Sequence, residues 1–250
     1  MPAYRLLQIS DSHLLAPDLP ATGAAEARLE AVLAWLEAGP LPDAVLLTGD
    51  VADTPDAAVY ARLAERLARL PVPVLALPGN HDDPALLAAS LPGSPVGAPR
   101  VHPCGDWAIA LLDSQQPGEC GGRLGPERLA LLAERLAAST ARHWLVAVHH
   151  PPMTIGSPWM DAMGLADGPA LLELLARDGR VRAVVCGHVH QRFEARYQGI
   201  QLLSCPATRV QFAPRTSACR VEDGRPAFRW LELAPDGRVG TGVVRLPEPI

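Results

Sequence analysis

Along the first 190 residues, one short apolar run after another stops at an Asp, an Asn or a His. "YRLLQIS" (4–10) leads to Asp11 and His13, "DAVLLTG" (43–49) to Asp50 and Asp53, and "VPVLALPG" (72–79) to Asn80, His81 and Asp82. Further on, a run at 143–148 ends at His149 and His150, and "RAVVCG" (182–187) ends at His188 and His190. Short apolar runs without alternation are strands buried on both faces. Segments with helical spacing separate them, at 24–39, 56–70, 84–91, 126–138 and 168–179, and a further strand is predicted at 107–112. Strands alternating with helices predict a largely parallel sheet covered by helices. In such a sheet the carboxyl ends of the strands open on one crevice, where the residues that follow them converge.

Five strand ends that each deliver carboxylate, amide or imidazole predict one site built of nitrogen and oxygen donors. That donor set suits borderline divalent metals such as Fe, Mn, Zn, Co or Ni. Oxygen alone would suit Mg or Ca, and thiolates would suit structural zinc. The candidates are Asp11, His13, Asp50, Asn80, His149, His188 and His190. One tetrahedral ion takes four ligands, so seven, with one carboxylate able to bridge, suit two ions about 3.5–4 Å apart. His102 and His143 lie outside these fragments and read as ordinary hydrogen-bonded residues. Cys186 lies inside its apolar run and reads as packing. No Ser or Cys stands in a nucleophile motif.

Charge narrows the partners. The 250 residues carry a net charge of −5, and all 22 basic residues are arginine, with no basic run among them. Nothing here predicts a nucleic acid or an anionic membrane as partner. Five cysteines, an odd number without a CxxC pair, read as reduced thiols and predict a cytoplasmic protein. No apolar stretch suits a signal peptide or a transmembrane helix. After residue 190 the pattern changes. "QRFEARYQGIQLLSCPA" turns at Gly199, and "AFRWLELAPDGRVGTGVVRL" (227–246) is a hairpin around "PDG". The expectation is one mixed α/β domain over residues 1–250, the hairpin included, with a mainly antiparallel second half. "PPMTIGSP" at 151–158 opens a loop running to about residue 167, of a length that is often functional.

The ordered set D-x-H, GD-x-x-D, GNHD, HHPP and GH-x-H, spanning residues 11–190, resembles the calcineurin-like metallophosphoesterases. Thr54 stands where protein Ser/Thr phosphatases of that family carry Arg, and His81 where the lipid A-pathway pyrophosphatases do. "LLDSQQPGECGGRLG", "MDAMGLAD", "VVCGHVHQ" and the closing hairpin are similar to the class III 3′,5′-cyclic-AMP phosphodiesterases, nearly end to end. The resemblance implies a four-layer αββα sandwich, two mixed β-sheets flanked by helices. It also implies a two-metal site, with Fe and Mn foremost and Zn, Co or Ni accepted. One ion takes Asp11, His13 and His190; the other takes Asn80, His149 and His188; Asp50 bridges.

The activity so implied is hydrolysis of a phosphodiester, 3′,5′-cyclic AMP to 5′-AMP, by a hydroxide held between the metals. The alternatives are a broader phosphodiesterase, acting on glycerophosphodiesters or 2′,3′-cyclic nucleotides, and a non-catalytic scaffold of the same fold. His81 is expected to stabilise the phosphoryl charge or protonate the leaving oxygen, with Asn80 beside it on the substrate. By the same resemblance Asp53 is expected to hold the His81 ring, with Asp82 as the competing orienter. For His150 two readings stand, a phosphate contact and plain packing. Trp159, Met160 and Asp161 are the candidates for covering the nucleobase.

Overall fold

The computed structural model describes residues 2–17, 19 and 22–249. Strand pleating sends alternate side chains to opposite faces, and in this chain both faces are apolar. In β1 (Tyr4–Ile9), Leu7 and Ile9 face α1 (Thr22–Ala38), while Leu6 faces a second sheet. Likewise in β2 (Ala44–Thr48), Val45 and Leu47 point outward to the helices, and Ala44 and Leu46 point inward. α2 (Ala57–Leu67), β3 (Val74–Leu77) and α3 (Pro84–Ser90) complete this half. α2 starts where the Asp56 carboxylate caps the Ala58 amide, and its Val59, Tyr60, Leu63 and Leu67 stripe is the buried face.

The second half repeats the scheme. β4 (Arg100–Cys104), β5 (Trp107–Leu112), α4 (Gly125–Ala138), β6 (His143–Val148), the short α5 (Pro158–Asp161), α6 (Gly168–Asp178) and β7 (Val181–Cys186) follow in order. Leu132 and Leu136 of α4 and Leu171 and Leu175 of α6 cover the outer face of this sheet over Trp144, Val146 and Val184. β8 (Glu194–Tyr197), β9 (Ile200–Ser204), β10 (Gln211–Phe212), β11 (Val221–Asp223), β12 (Ala227–Leu233) and β13 (Val239–Arg245) close the chain.

The strands form two mixed sheets in the orders β13-β12-β1-β2-β3 and β4-β5-β6-β7-β9-β8, with β10 and β11 as a separate pair. Three apolar clusters separate the layers: helices on the first sheet, sheet on sheet, and helices on the second sheet. That is the αββα order. The β12–β13 hairpin joins the first sheet through antiparallel pairing of β12 with β1.

Beyond α5, which lies within the expected loop, and the unannounced β10 and β11, two strands depart from expectation. β4, "RVHPC", has no apolar run to announce it; it is an outer strand paired only with β5, where a proline is tolerated. β9 forms the expected hairpin with β8 but also inserts parallel to β7, so its carboxyl end points the same way as those of β5, β6 and β7. The second half is therefore less antiparallel than its sequence suggests. Among the described residues, no helix is long and apolar enough to cross a membrane.

Candidate active site

All seven predicted ligands lie just past the carboxyl ends of β1, β2, β3, β6 and β7, at one end of the paired sheets. Asp11, His13, Asp50, His149, His188 and His190 are buried. To bring them there the chain leaves its strands sharply. Asp11, His13, Asp50, His188 and His190 all adopt left-handed backbone, with φ of 55°, 42°, 49°, 67° and 48°. Such conformations cost L-residues about 1–3 kcal/mol each and persist only where the surroundings enforce them. Gly187 serves the same end by close approach: a Cβ there would lie 2.1 Å from Ser10 Oγ and 2.9 Å from Asp11 Oδ2.

The ligand atoms fall into two groups. In the first, His190 Nε2 is 3.2 Å from His13 Nε2 and 3.4 Å from Asp11 Oδ1. In the second, His149 Nε2 is 3.2 Å from Asn80 Oδ1, and the His188 ring lies 5.1 Å from that of His149. Asp50 stands between them. Its Oδ2 is 3.7 Å from His13 Nε2 and 3.3 Å from His149 Nε2, while its Oδ1 accepts the His81 amide at 2.9 Å. His190 thus lies beside His13 and Asp11, and the His188 ring beside that of His149.

Two of the outer nitrogens have main-chain acceptors. His190 Nδ1 donates to the Val210 carbonyl at 3.0 Å and His149 Nδ1 to the Thr48 carbonyl at 2.7 Å, while His13 Nδ1 faces Asp53 Oδ1 at 3.2 Å. With its Nδ1 proton so placed, His190 Nε2 presents a lone pair towards His13 Nε2 at 3.2 Å, a buried approach that suits a cation between them. Among the described residues, His188 Nε2 is buried without any hydrogen-bond partner. These residues fit metal ions.

Charge supports the fit. Burial alone would raise the Asp11 and Asp50 carboxyls, but His190 beside Asp11 and His149 beside Asp50 outweigh it and keep both below the usual range. His188 is driven down to about 3 by burial and then by His149, so it is neutral and ready to ligate. Burial also works against protonated His149, yet Asp50 overrides it and lifts the imidazole to about 9. Around about pH 7.5 that proton must leave before His149 can hold an ion. Loading is thus expected to release about one proton per chain, and affinity to weaken as the pH falls. Calorimetric titration in buffers of different ionisation enthalpy measures the release. Loading without proton release would contradict it.

Three expectations about the surroundings need correction. Asp53 does hold His81, but through its main-chain carbonyl, which His81 Nδ1 meets at 2.8 Å; its carboxylate turns to His13 and Arg209 instead. The hydrogen bonds of Asp82 go elsewhere than to the His81 ring. Buried, it accepts the amides of Val51, Ala52 and Gly79 and the Tyr60 hydroxyl, and so ties the β2 and β3 ends together. His150 has both ring nitrogens engaged by the protein. It is fully buried, with Nδ1 bonded to Ser114 Oγ at 2.8 Å and Nε2 to the Cys120 carbonyl at 3.2 Å, and burial pushes its pKa well down. These contacts match the packing alternative.

The loop after residue 151 also differs from expectation. Met160 is buried with Ile155 and Val189, and Asp161 accepts the Ile155 and Gly156 amides. Trp159 meets Phe212 edge-on at 5.4 Å, and Phe212 stacks flat on His190 at 4.3 Å. The loop therefore packs against His190 through Phe212. His102 bonds Tyr4 and His143 bonds Pro235, both away from the site. Cys186 is buried, and burial pushes its thiol up to about 12. Arg209 and Phe212 escaped the sequence reading. The strand-end rule would have flagged Arg209 had β9 been placed parallel in the sheet.

A two-sheet sandwich with two adjoining clusters of imidazole and carboxylate at its strand ends defines a metal-dependent phosphoesterase. The calcineurin-like phosphoesterase family matches residues 4–192, and the chain belongs to that family. It is 36% identical over 248 residues to the 3′,5′-cyclic adenosine monophosphate phosphodiesterase CpdA of Pseudomonas aeruginosa, covering 98% of this chain and 91% of that one. The Escherichia coli (strain K12) protein of the same name is 36% identical over 251 residues, with 98% and 90% covered. Among solved structures, a dimetal phosphatase from Danio rerio superposes with a TM-score of 0.66 at 17% identity, covering 98% of this chain and 99% of that one; it shares the fold.

Proposed function

We propose that the chain hydrolyses 3′,5′-cyclic AMP to 5′-AMP at a site holding two metal ions. The observation that carries this reading is the near end-to-end likeness to proteins named for that activity, joined to a complete set of seven donors in two groups about Asp50. Asp11, His13 and His190 would hold one ion, Asn80, His149 and His188 the other, and Asp50 would reach both. Iron and manganese suit the mixed imidazole and oxygen donors best, with zinc, cobalt or nickel as substitutes. Bound there, the ions would neutralise phosphate charge and lower the pKa of water towards about 7.

The chain's own residues supply the rest. Asn80 and His81 line an open groove of about 430 Å³ that continues past Thr54, Pro55, Gln115 and Pro117. The phosphodiester lies at its inner end and the nucleoside along it. Because His81 Nδ1–H is committed to the Asp53 carbonyl, Nε2 is the nitrogen left for substrate. From there a proton passes to the 3′ oxygen as the P–O3′ bond breaks, while water, giving up a proton to solvent, attacks phosphorus from the opposite side. No side chain is needed as nucleophile. The substrate is a small molecule rather than a nucleic acid or a membrane. The five cysteines are all unpaired, which suits the cytoplasm.

His81→Ala is expected to keep both ions and slow turnover about 10²–10⁴-fold, the usual worth of a general acid. Its amide, which anchors Asp50, survives the change. Metal content lower than wild type would instead make His81 a ligand. The substrate is tested by comparing kcat/KM of the metal-loaded enzyme for cyclic AMP, cyclic GMP, 2′,3′-cyclic AMP and a glycerophosphodiester. A strong rate on the last beside little on cyclic AMP overturns the specificity. A protein that holds no ions and turns over nothing would be a scaffold.

A further inference from the structure

Asp53 faces two residues of the site in two different ways. Its carbonyl takes the His81 ring nitrogen at 2.8 Å, and its carboxylate lies 3.2 Å from His13 Nδ1. The second contact is bent, because Oδ1 lies off the His13 N–H axis, so alignment alone does not hold it in place. What holds the carboxylate is Arg209, whose Nη1 donates to the same Oδ1. Asp53 follows β2 and Arg209 follows β9, so the pair joins the strand ends of the two sheets across the site. Arg209 is fixed at its base as well, since its amide donates to the Asp11 carbonyl at 3.2 Å, and the preceding Thr208 amide donates to the Ser10 carbonyl at 2.9 Å.

We propose that Arg209 is a positioning residue: it pins the Asp53 carboxylate against the outer nitrogen of His13, leaving the Asp53 carbonyl to hold His81. The physical argument has two parts. A carboxylate on the outer N–H of a ligating imidazole fixes its tautomer and ring orientation and makes its inner nitrogen more basic. A guanidinium keeps its charge at any working pH, so its grip on Asp53 does not depend on protonation. Both partners are about one third exposed, with side chains 29% and 33% accessible. The pair therefore adds little to fold stability, at the level of exposed ion pairs. Its effect lies in geometry. Without Arg209 the carboxylate is free to swing into solvent, and His13 loses the partner that orients it.

This role rests on the two-ion reading above and is tested by metal binding rather than by rate. Manganese is titrated calorimetrically into the metal-free full-length protein and into Arg209→Met, Arg209→Lys, Asp53→Asn and the Arg209→Met/Asp53→Asn double variant. Wild type is expected to take two ions per chain in separable steps. Arg209→Met should weaken one step about 10-fold, the lower end for loss of such a partner, and leave the other unchanged. Asp53→Asn should weaken the same step, and the double variant no further than the stronger single one. Arg209→Lys, which keeps the charge, should recover part of the loss. Unchanged affinity in Arg209→Met overturns the role while leaving the two-ion reading intact. Equal weakening of both steps with a lowered metal-free melting temperature also overturns it, because that marks a structural residue. Wild type binding no ion overturns the two-ion reading and this role with it.

Discussion

Asp50→Asn is expected to leave a folded protein that has lost one of two ions and nearly all turnover. The carboxylate is placed to serve both clusters, with Oδ2 3.7 Å from His13 Nε2 and 3.3 Å from His149 Nε2. Asparagine keeps the shape, and its amide oxygen can still accept the His81 amide that Oδ1 accepts in the native site. What it lacks is the negative charge that two cations close together require. Losing a residue that merely orients a ligand costs up to about 100-fold in affinity or activity. Loss of the bridging charge should exceed that. Metal analysis by mass spectrometry and kcat on one preparation measure both effects. A variant holding two ions at the wild-type rate would remove Asp50 from the bridging position.

The second large effect concerns stability, far from the chemistry. Arg229 of β12 is fully buried between the sheets. Its guanidinium bonds the Ser204 carbonyl at 3.0 Å, Thr241 Oγ1 at 2.8 Å, and Glu194 Oε1 at 3.1 Å from two nitrogens. It stands on the inward face of β12, in line with Leu231 and Leu233, and so clamps the first sheet to β8 and β9 of the second. Glu194→Ala removes the only carboxylate bonded to this cation among the described residues, and a guanidinium cannot shed its charge. Breaking a buried pair costs about 3–5 kcal/mol. Glu194 is 36% exposed, so solvent screening takes the expected cost to the lower end, about 3 kcal/mol. In a chain of this size that lowers the melting temperature by about 6–12 °C. Replacing both partners, Arg229→Met with Glu194→Gln, should cost less than Glu194→Ala alone, because it leaves no unpaired buried charge. Calorimetric melting curves of the three proteins decide the order. A double variant less stable than Glu194→Ala would show that the clamp itself outweighs its desolvation.

Most of the strands and helices were legible because their apolar runs are local signals. β5 and β6 fall where predicted, and the helices begin or end within a few residues of expectation. β4 was not legible: as an outer strand it needs no apolar face, and "RVHPC" carries none. The parallel seat of β9 was hidden as well, because a hairpin partner on one side says nothing about the strand on the other.

The donors of the site could be read from residue type and place alone. A strand end in a covered sheet has one direction to deliver its next residue, so Asp11, His13, Asp50, Asn80, His149, His188 and His190 were bound to meet once the strands were found. Their neighbours obeyed no such rule. Whether Asp53 offers its carboxylate or its carbonyl, whether His150 meets phosphate or Ser114, and whether Asp82 holds His81 or three main-chain amides depend on how loops from separate strands settle on one another. Arg209 reaches Asp53 across 156 positions of sequence, and Arg229 reaches Glu194 from the other sheet. Periodicity carries the fold and the ligand set because each follows from the backbone near its own residue. The pairings that surround the candidate ligands and clamp the sheets are set by contacts between distant segments, and the packed structure alone decides those.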